Sequence, residues 1–402
     1  MTDRSLTPVE RVQRLRWPAL ALAIAGAIVC ILAVIFSRHD FFRAYLFSWL
    51  FWLGITLGGL VLVMLHNLTG GGWGHTVRRI GEAASLTLPL WIILFIPIIL
   101  GMRDLYIWTH ADALAASDVL RHREPYLNIP FFIVRAAIYF AIWLFLTIAM
   151  HRWNLRVEAT GDEAAETKIR RWSGAGLLLY LLTMSHAAID WIMSRDIQFY
   201  STAFGFVVTV GQTLSALAFI IIVMGLIGRW VRDDQKPLAQ AVRPGILNDI
   251  GNVLLTLVIL WAYVSFMQFL VIWTGNTGED NPYFLQRGLG APSVWRWIGL
   301  ALVALHFFVP FFLLLFRAAK QYLPTLVTIA AILLAMHLVM EYWLVAPSGA
   351  HRGPMWNLTW PDVVIPFALG AIWLAAFVWL LPARLAAAAG AVATEIRGAE
   401  HA

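Results

Sequence analysis

Ten unbroken apolar runs, each about as long as a bilayer is thick, take up most of this 402-residue chain and restrict how it can fold. They fall roughly at 17–36, 43–68, 79–101, 128–151, 172–193, 202–228, 247–273, 294–316, 322–345 and 361–381. Within hydrocarbon every backbone N–H and C=O must be bonded inside the protein, so only helices and closed barrels can span it. Barrel strands read as short alternating segments, and these runs do not alternate. The expectation is an all-α integral membrane protein with about ten transmembrane helices. Only 13% of the residues are charged, whereas a soluble domain carries about a quarter. Twenty tryptophans suit a protein with aromatic belts at both interfaces. The first run is too long for a signal peptide, and no small-residue cleavage site precedes Ser37-Arg38-His39-Asp40, so it reads as a retained helix.

Ten spans return both termini to one side. With the N-terminus inside, 19 of the 29 Lys and Arg residues lie in inner segments, which places both termini in the cytoplasm. That asymmetry explains the net charge of +6 without a nucleic-acid partner. The chain then divides into a cytoplasmic segment over 1–16, a membrane domain over 17–381 and an Ala-rich tail over 382–402, read as a short surface helix or disordered. Outer loops near 102–127 and 274–292 are long enough for a peripheral partner to dock on, and equally read as solvated connectors. The charged inner loop 158–168 reads as solvated. Cys30 is the only cysteine, so the chain has no internal disulfide and no thiolate set for an iron–sulfur cluster or c-type haem.

Ionisable residues at membrane depth are costly and usually mark a pathway or a ligand. Two His-x-x-x-acid pairs stand out: His186 with Asp190, and His337 with Glu341. Residues four apart share a helix face. The pairs lie four spans apart, which suggests two four-helix bundles, spans 2–5 (about 43–193) and 6–9 (about 202–345), in parallel orientation with two flanking helices. Arg135, Gln212 and Gln268 fall in the same outer half, and His306 lies near the middle of its span, leaving the inner half drier. A carboxyl and an imidazole in such surroundings can exchange protons near neutral pH. A quinol needs such groups, because its oxidation releases two protons. The bland readings are interhelical hydrogen bonds for the pairs and snorkelling for Arg135. Intramembrane b-type haem at His186, His306 and His337 is disfavoured, since no helix carries two histidines at a two-haem spacing. Residues 67–74, Asn-Leu-Thr-Gly-Gly-Gly-Trp-Gly after His66, lack the Gly-Lys-Ser/Thr of a phosphate loop and read as a tight turn. Pro89, Pro97 and Pro310 should kink their spans, and Gly54, Gly58 and Gly59 should permit close packing.

Several stretches resemble one family. They are Ser48-Trp-Leu-Phe-Trp-Leu-Gly54, Met64-Leu-His-Asn-Leu-Thr-Gly-Gly71, Asn128-Ile-Pro-Phe-Phe-Ile-Val-Arg135 and Ser185-His-Ala-Ala-Ile-Asp-Trp-Ile-Met-Ser194, followed by Phe199-Tyr-Ser-Thr202 and Gly211-Gln-Thr-Leu-Ser-Ala216. The loop Gly278-Glu-Asp-Asn-Pro-Tyr-Phe-Leu-Gln-Arg287 matches more loosely. In order and spacing these stretches resemble the F subunits (ActF) of bacterial alternative complex III, a quinol:cytochrome c oxidoreductase, within the NrfD-like polysulfide-reductase-type membrane anchors. The resemblance implies two four-helix bundles with flanking helices in a bacterial inner membrane. It also implies partners: an NrfD-like quinol-binding sister subunit, an iron–sulfur subunit and haem c subunits, beside membrane lipids. Haem c and iron–sulfur clusters would then sit on those partners. This chain would bind nothing covalently and contribute proton movement or a quinone-interacting surface. The family His and Asp fall on His186 and Asp190, with His337 and Glu341 as the second set. From its depth among these groups, Arg135 is expected to pair with one carboxylate or steady a quinone oxygen. The competing classes are a stand-alone proton-coupled transporter and a structural anchor.

Overall fold

The computed structural model describes residues 6–196, 198–230, 243–275, 281–289, 293–348 and 358–400. Among them there is no strand, and ten helices are long and apolar enough to cross a membrane. These are α1 (Pro8–Phe36), α2 (Arg38–Thr69), α3 (Val77–Leu100), α4 (Ile129–Thr160), α5 (Glu163–Arg195), α6 (Phe204–Gly228), α7 (Pro244–Gly275), α8 (Val294–Leu315), α9 (Leu323–Val345) and α10 (Trp360–Ala386). The chain is a multi-pass membrane protein, with each helix within a few residues of its apolar run at the core. Most helices extend beyond those runs at one or both ends. The α10 helix continues to Glu400, through the Ala-rich tail. Of the resembling loop, Gly278, Glu279 and Asp280 lie outside the described residues.

Local chemistry sets the helix ends. The Asn128 side chain accepts from the Phe131 N–H, with Pro130 in the first turn, so α4 starts where a cap and a preset φ coincide. It stops at Gly161, which is left-handed with φ 61°, and Asp162 then caps α5 through the Ala164 N–H. Two residues thus reverse the chain between α4 and α5. The Gly-rich turn after His66 has Gly70 and Gly71 at φ 68° and 97°, backbone that L side chains resist. As expected, α3 breaks at its prolines, into Gly74–Ser85, Leu88–Ile93 and Ile96–Leu100, with Pro89 and Pro97 each in the first turn of a new piece. In α8 the effect is different. Pro310 has no N–H for the His306 carbonyl four residues back, and the preceding turn, Leu302–Phe308, is wound as a π-helix.

Ion pairs at the helix ends fix the alternation. At one end Arg43 binds Asp362 at 2.6 Å and Arg38 binds Asp104 at 3.3 Å, joining the starts of α2 and α10 to the end of α3. At the other end Arg78 binds Glu158 at 2.6 Å, and the Arg16 guanidinium donates to the Trp379 carbonyl at 3.0 Å. Both termini therefore share the second end, the terminal face; the first is the distal face.

The hub is α2, buried along nearly its whole length and packed on α3, α5, α6, α9 and α10. A helix that is apolar all round belongs in the interior. The second most buried helix, α6, touches α2, α5, α7 and α9. Peripheral α1 packs on α10 and exposes Leu22, Ile31 and Phe36. Small residues bring α2 close to two neighbours as the sequence suggests: a β-carbon at Gly58 would fall 2.1 Å from the Gln212 carbonyl oxygen of α6, and one at Gly59 would fall 2.9 Å from that of Gly81 on α3. Both obstacles are backbone, so neither can step aside. Gly58→Ala should lower stability by about 1–3 kcal/mol, whereas Gly72→Ala, at a position with nothing within 4 Å, should change little. Thermal unfolding in detergent, followed by size-exclusion chromatography, checks both.

Candidate functional site

Asp190 and Glu341, the two carboxylates the sequence singles out, have opposite surroundings. Asp190 on α5 is fully buried (0% exposed) and saturated with partners. Arg135 on α4 donates to it twice, Nε to Oδ2 and Nη2 to Oδ1, both at 2.9 Å. The Tyr139 hydroxyl, one turn further along α4, donates to Oδ2 at 2.9 Å. The remaining Arg135 valence goes to the Tyr126 carbonyl at 2.8 Å, and the guanidinium lies 3.8 Å from the Tyr126 ring and 4.4 Å from that of Phe131. A bidentate pair whose third guanidinium nitrogen is also bonded is the kind of geometry that offsets the desolvation of a buried ion pair. Arg135 does not snorkel; it is only 6% exposed. Indole and phenyl rings of Trp191, Trp49, Phe140 and Phe95 pack beside this centre.

His186 does not join it. Its side chain is exposed, and Nδ1 lies 2.9 Å from the Leu182 carbonyl of its own helix. The expected His186–Asp190 pair is thus corrected to an Arg135–Asp190 pair. Four residues rotate the helix by about 40° beyond a full turn, enough to carry one side chain to the surface while the other faces the core.

His337 and Glu341 on α9 do lie together, both 2% exposed. Nε2 of His337 is 3.5 Å from Oε1 of Glu341, longer than a normal hydrogen bond. The second Glu341 oxygen and both nitrogens of His337 have no hydrogen-bond partner among the described residues. His306, in the π-helical turn of α8, is fully buried with its ring centre 5.8 Å from that of His337, and neither of its nitrogens has a partner among those residues. Nearly all buried polar groups in folded proteins are bonded, so five unbonded atoms in one cluster need an explanation. The cluster is tightly held. A β-carbon at Gly211 would meet His337 Cε1 at 2.8 Å, Phe51 packs on the His337 ring, and Trp261 on α7 meets His306 with ring centres 4.2 Å apart.

The other two candidates differ in kind. Gln212 accepts from the Tyr180 hydroxyl at 2.5 Å and lies against Gly54, so it cements the α2–α5–α6 contact. Gln268, 8% exposed, has a buried Oε1 with no partner among the described residues and lines a cleft of about 900 Å³ between α7, α8 and α9 in the distal half. Trp261, which covers His306, lines the same cleft, and so do Met340 and Leu344, neighbours of Glu341. The histidine–glutamate cluster therefore sits one layer behind the cleft wall.

The terminal half is not dry, contrary to the sequence expectation. Glu82 on α3 is buried, pairs with Arg384 of α10 and accepts from Asn154 Nδ2 at 2.6 Å; His151 Nδ1 lies 3.5 Å away. Glu158, from the supposedly solvated inner segment, binds Arg78 at 2.6 Å and approaches Arg79 and Arg384. Arg384 lies some 300 residues from Glu82 in sequence, so spacing gives no signal for this network. On the distal face Arg195 and Arg287 are also buried, donating to the carbonyls of Leu105, Val345 and Ser348 and of Tyr283, Trp343 and Leu344. These arginines tie the loops between spans to the end of α9.

Comparison with known protein families gives no match, and no curated protein matches the chain. The geometry separates a structural carboxylate from a chemically available one. Arg135→Leu, which strands Asp190, should lower stability by about 3–5 kcal/mol, and adding Asp190→Leu should restore much of it. Glu341→Gln should cost less than about 1 kcal/mol. Denaturant titration of the purified variants measures all three.

Proposed function

We propose that the chain is a membrane subunit of a bacterial quinol:cytochrome c oxidoreductase, and that Glu341, His337 and His306 exchange protons there with the distal side. The observation that carries this reading is the buried cluster of titratable groups whose polar atoms have no partners among the described residues, beside an apolar cleft. Structural polar groups in a membrane are retained because they bond one another, as Arg135 and Asp190 do. A cluster that leaves its donors and acceptors unused fits groups that load and release protons. Quinol oxidation yields two protons and two electrons. The protons need buried acceptors of this kind, and the electrons would pass to iron–sulfur and haem c groups on partner subunits. The motif resemblance over most of the chain supplies the kind of complex.

The two-bundle architecture belongs to the same reading. Within α2–α5, α2 packs on α3 and α5, and α4 packs on α5; within α6–α9, α6 packs on α7 and α9, and α8 packs on α9. Between the sets, α2 with α6 and the reciprocal contacts α2 with α9 and α5 with α6 fit a two-fold relation, whereas α3 with α6 has no counterpart of similar extent between α7 and α2. The distal face is then periplasmic, with both termini in the cytoplasm of the inner membrane, as the Lys and Arg distribution favours.

Purification in mild detergent should recover the chain with haem c and iron–sulfur subunits. In that complex Glu341→Gln and His337→Phe should each lower quinol-driven cytochrome c reduction at least about tenfold, near the range for loss of a proton acceptor. Assembly should be unchanged. A chain that purifies alone, or full turnover in both variants, contradicts the proposal.

A further inference from the structure

The terminal face carries two sets of cations with different fates. Arg78, Arg79 and Arg384 are engaged by the carboxylates of Glu82 and Glu158. Arg152, Arg156, Lys168 and Arg171, around the turn from α4 to α5, are exposed, and their side chains make no hydrogen bond or ion pair among the described residues. Exposed cations at the end of a span are ordinarily just solvated. These four flank a recess.

Helix geometry separates them from the nearby acids. On α5, Lys168 and Arg171 share a face with Ala164 and Trp172, whereas Glu163, Glu166 and Arg170 turn to the opposite face. On α4, Arg152 and Arg156 are one turn apart beside Trp153, and Glu158 turns away to Arg78. Between the two basic faces lies a recess of about 220 Å³, lined by Trp153, Arg156, Asp162, Ala164, Ala165 and Lys168. Trp153 packs on Trp172 with ring centres 5.6 Å apart, and the Lys168 ammonium lies 5.5 Å from the Trp153 ring. Ala164 and Ala165 belong to the first turn of α5, the positive end of that helix. The one acid among the described lining residues, Asp162, already caps α5, accepting from the Ala164 N–H at 2.9 Å.

Depth narrows the choice of ligand. The apolar runs end at His151 on α4 and begin at Trp172 on α5. Arg156 and Lys168 are one turn or slightly more beyond those ends, about 6–8 Å along the helices, and the headgroup layer is itself some 5–8 Å thick. Below them, exposed Phe145 on α4 and Leu179 and Leu182 on α5 continue the same faces into the hydrocarbon. The recess is smaller than the roughly 300–1,000 Å³ of a site that encloses a whole small molecule, and suits a headgroup whose chains stay in the bilayer.

We propose that this recess binds the headgroup of an anionic glycerophospholipid of the phosphatidylglycerol kind. Arg156 and Lys168 bracket the phosphodiester, and Arg152 and Arg171 add positive charge one turn nearer the hydrocarbon. Glycerol hydroxyls donate to the second oxygen of Asp162. The acyl chains follow Phe145, Leu179 and Leu182. This site stands whether or not the chain is a subunit of a quinol complex.

The test is native mass spectrometry of the delipidated full chain, with any subunits that copurify, titrated with dioleoylphosphatidylglycerol in detergent. The expected result is one saturable adduct on this chain, with dioleoylphosphatidylethanolamine at least about tenfold weaker. Arg156→Gln combined with Lys168→Gln should weaken the adduct at least about tenfold, since each cation near a membrane surface adds to the attraction. Both side chains are exposed, so the double variant is safe for folding. Arg170→Gln with Arg229→Gln removes the same charge from the terminal face outside the recess and should leave binding within about twofold. Equal weakening in the two double variants would mean only a diffuse basic face and overturns the proposal. So do the absence of a saturable adduct and equal retention of the phosphatidylethanolamine. Displacement of the lipid by glycerol 1-phosphate at matched concentration overturns it too, in favour of a site for soluble phosphates.

Discussion

Close approach of α2 and α6 positions the helices that carry Asp190 and Glu341. Gly58 lets the two backbones meet at the Gln212 carbonyl, and Gly54 makes room for the Gln212 side chain. With α6 held there, its next residue back, Gly211, lies directly against His337 of α9. On the other flank Gln212 accepts from Tyr180 of α5, the helix that carries Asp190. One contact between small residues thus registers both acid-bearing helices against a common pair. Apolar burial cannot drive such association within lipid, where the surroundings are as apolar as the interface, so packing and buried hydrogen bonds must do it.

Around that axis the two carboxylates have diverged. Asp190 holds a guanidinium in a fork and a phenol hydroxyl, and its rigid aromatic surroundings include Trp191 and Phe140. Such a site resists both hydration and reorganisation. Glu341 has a single distant imidazole, an unused oxygen and a second imidazole nearby. The π-helical turn that carries His306 traces to Pro310, which withholds one backbone donor and widens the helix where the ring must face inward. Irregular backbone of this kind recurs at functional sites. One acid anchors the bundle, and the other retains groups free to react.

Much of this is legible in the residues. Apolar run length gives the ten helices; Pro89 and Pro97 give the breaks in α3; Gly54, Gly58 and Gly59 give the close contacts; and of the readings of Arg135, as partner of a carboxylate, as support for a quinone oxygen or as a snorkelling cation, the structure shows the first. Spacing alone cannot say which face of α5 turns inward, so it groups His186 with Asp190 although His186 is exposed. The Glu82–Arg384 contact joins helices distant in sequence, and the apparent dryness of the terminal half comes from judging each span alone. A polar residue near the end of a run looks solvated until its neighbours are known.

The most direct measurement is infrared difference spectroscopy, in the carboxyl C=O region, on addition of quinol to the chain purified with the partners proposed for it. Proton loading at the second carboxylate predicts a band that Glu341→Gln removes and Asp190→Asn leaves in place. Absence of any such band, or a band that disappears with Asp190 and persists without Glu341, would contradict the division between an anchoring and a proton-exchanging acid.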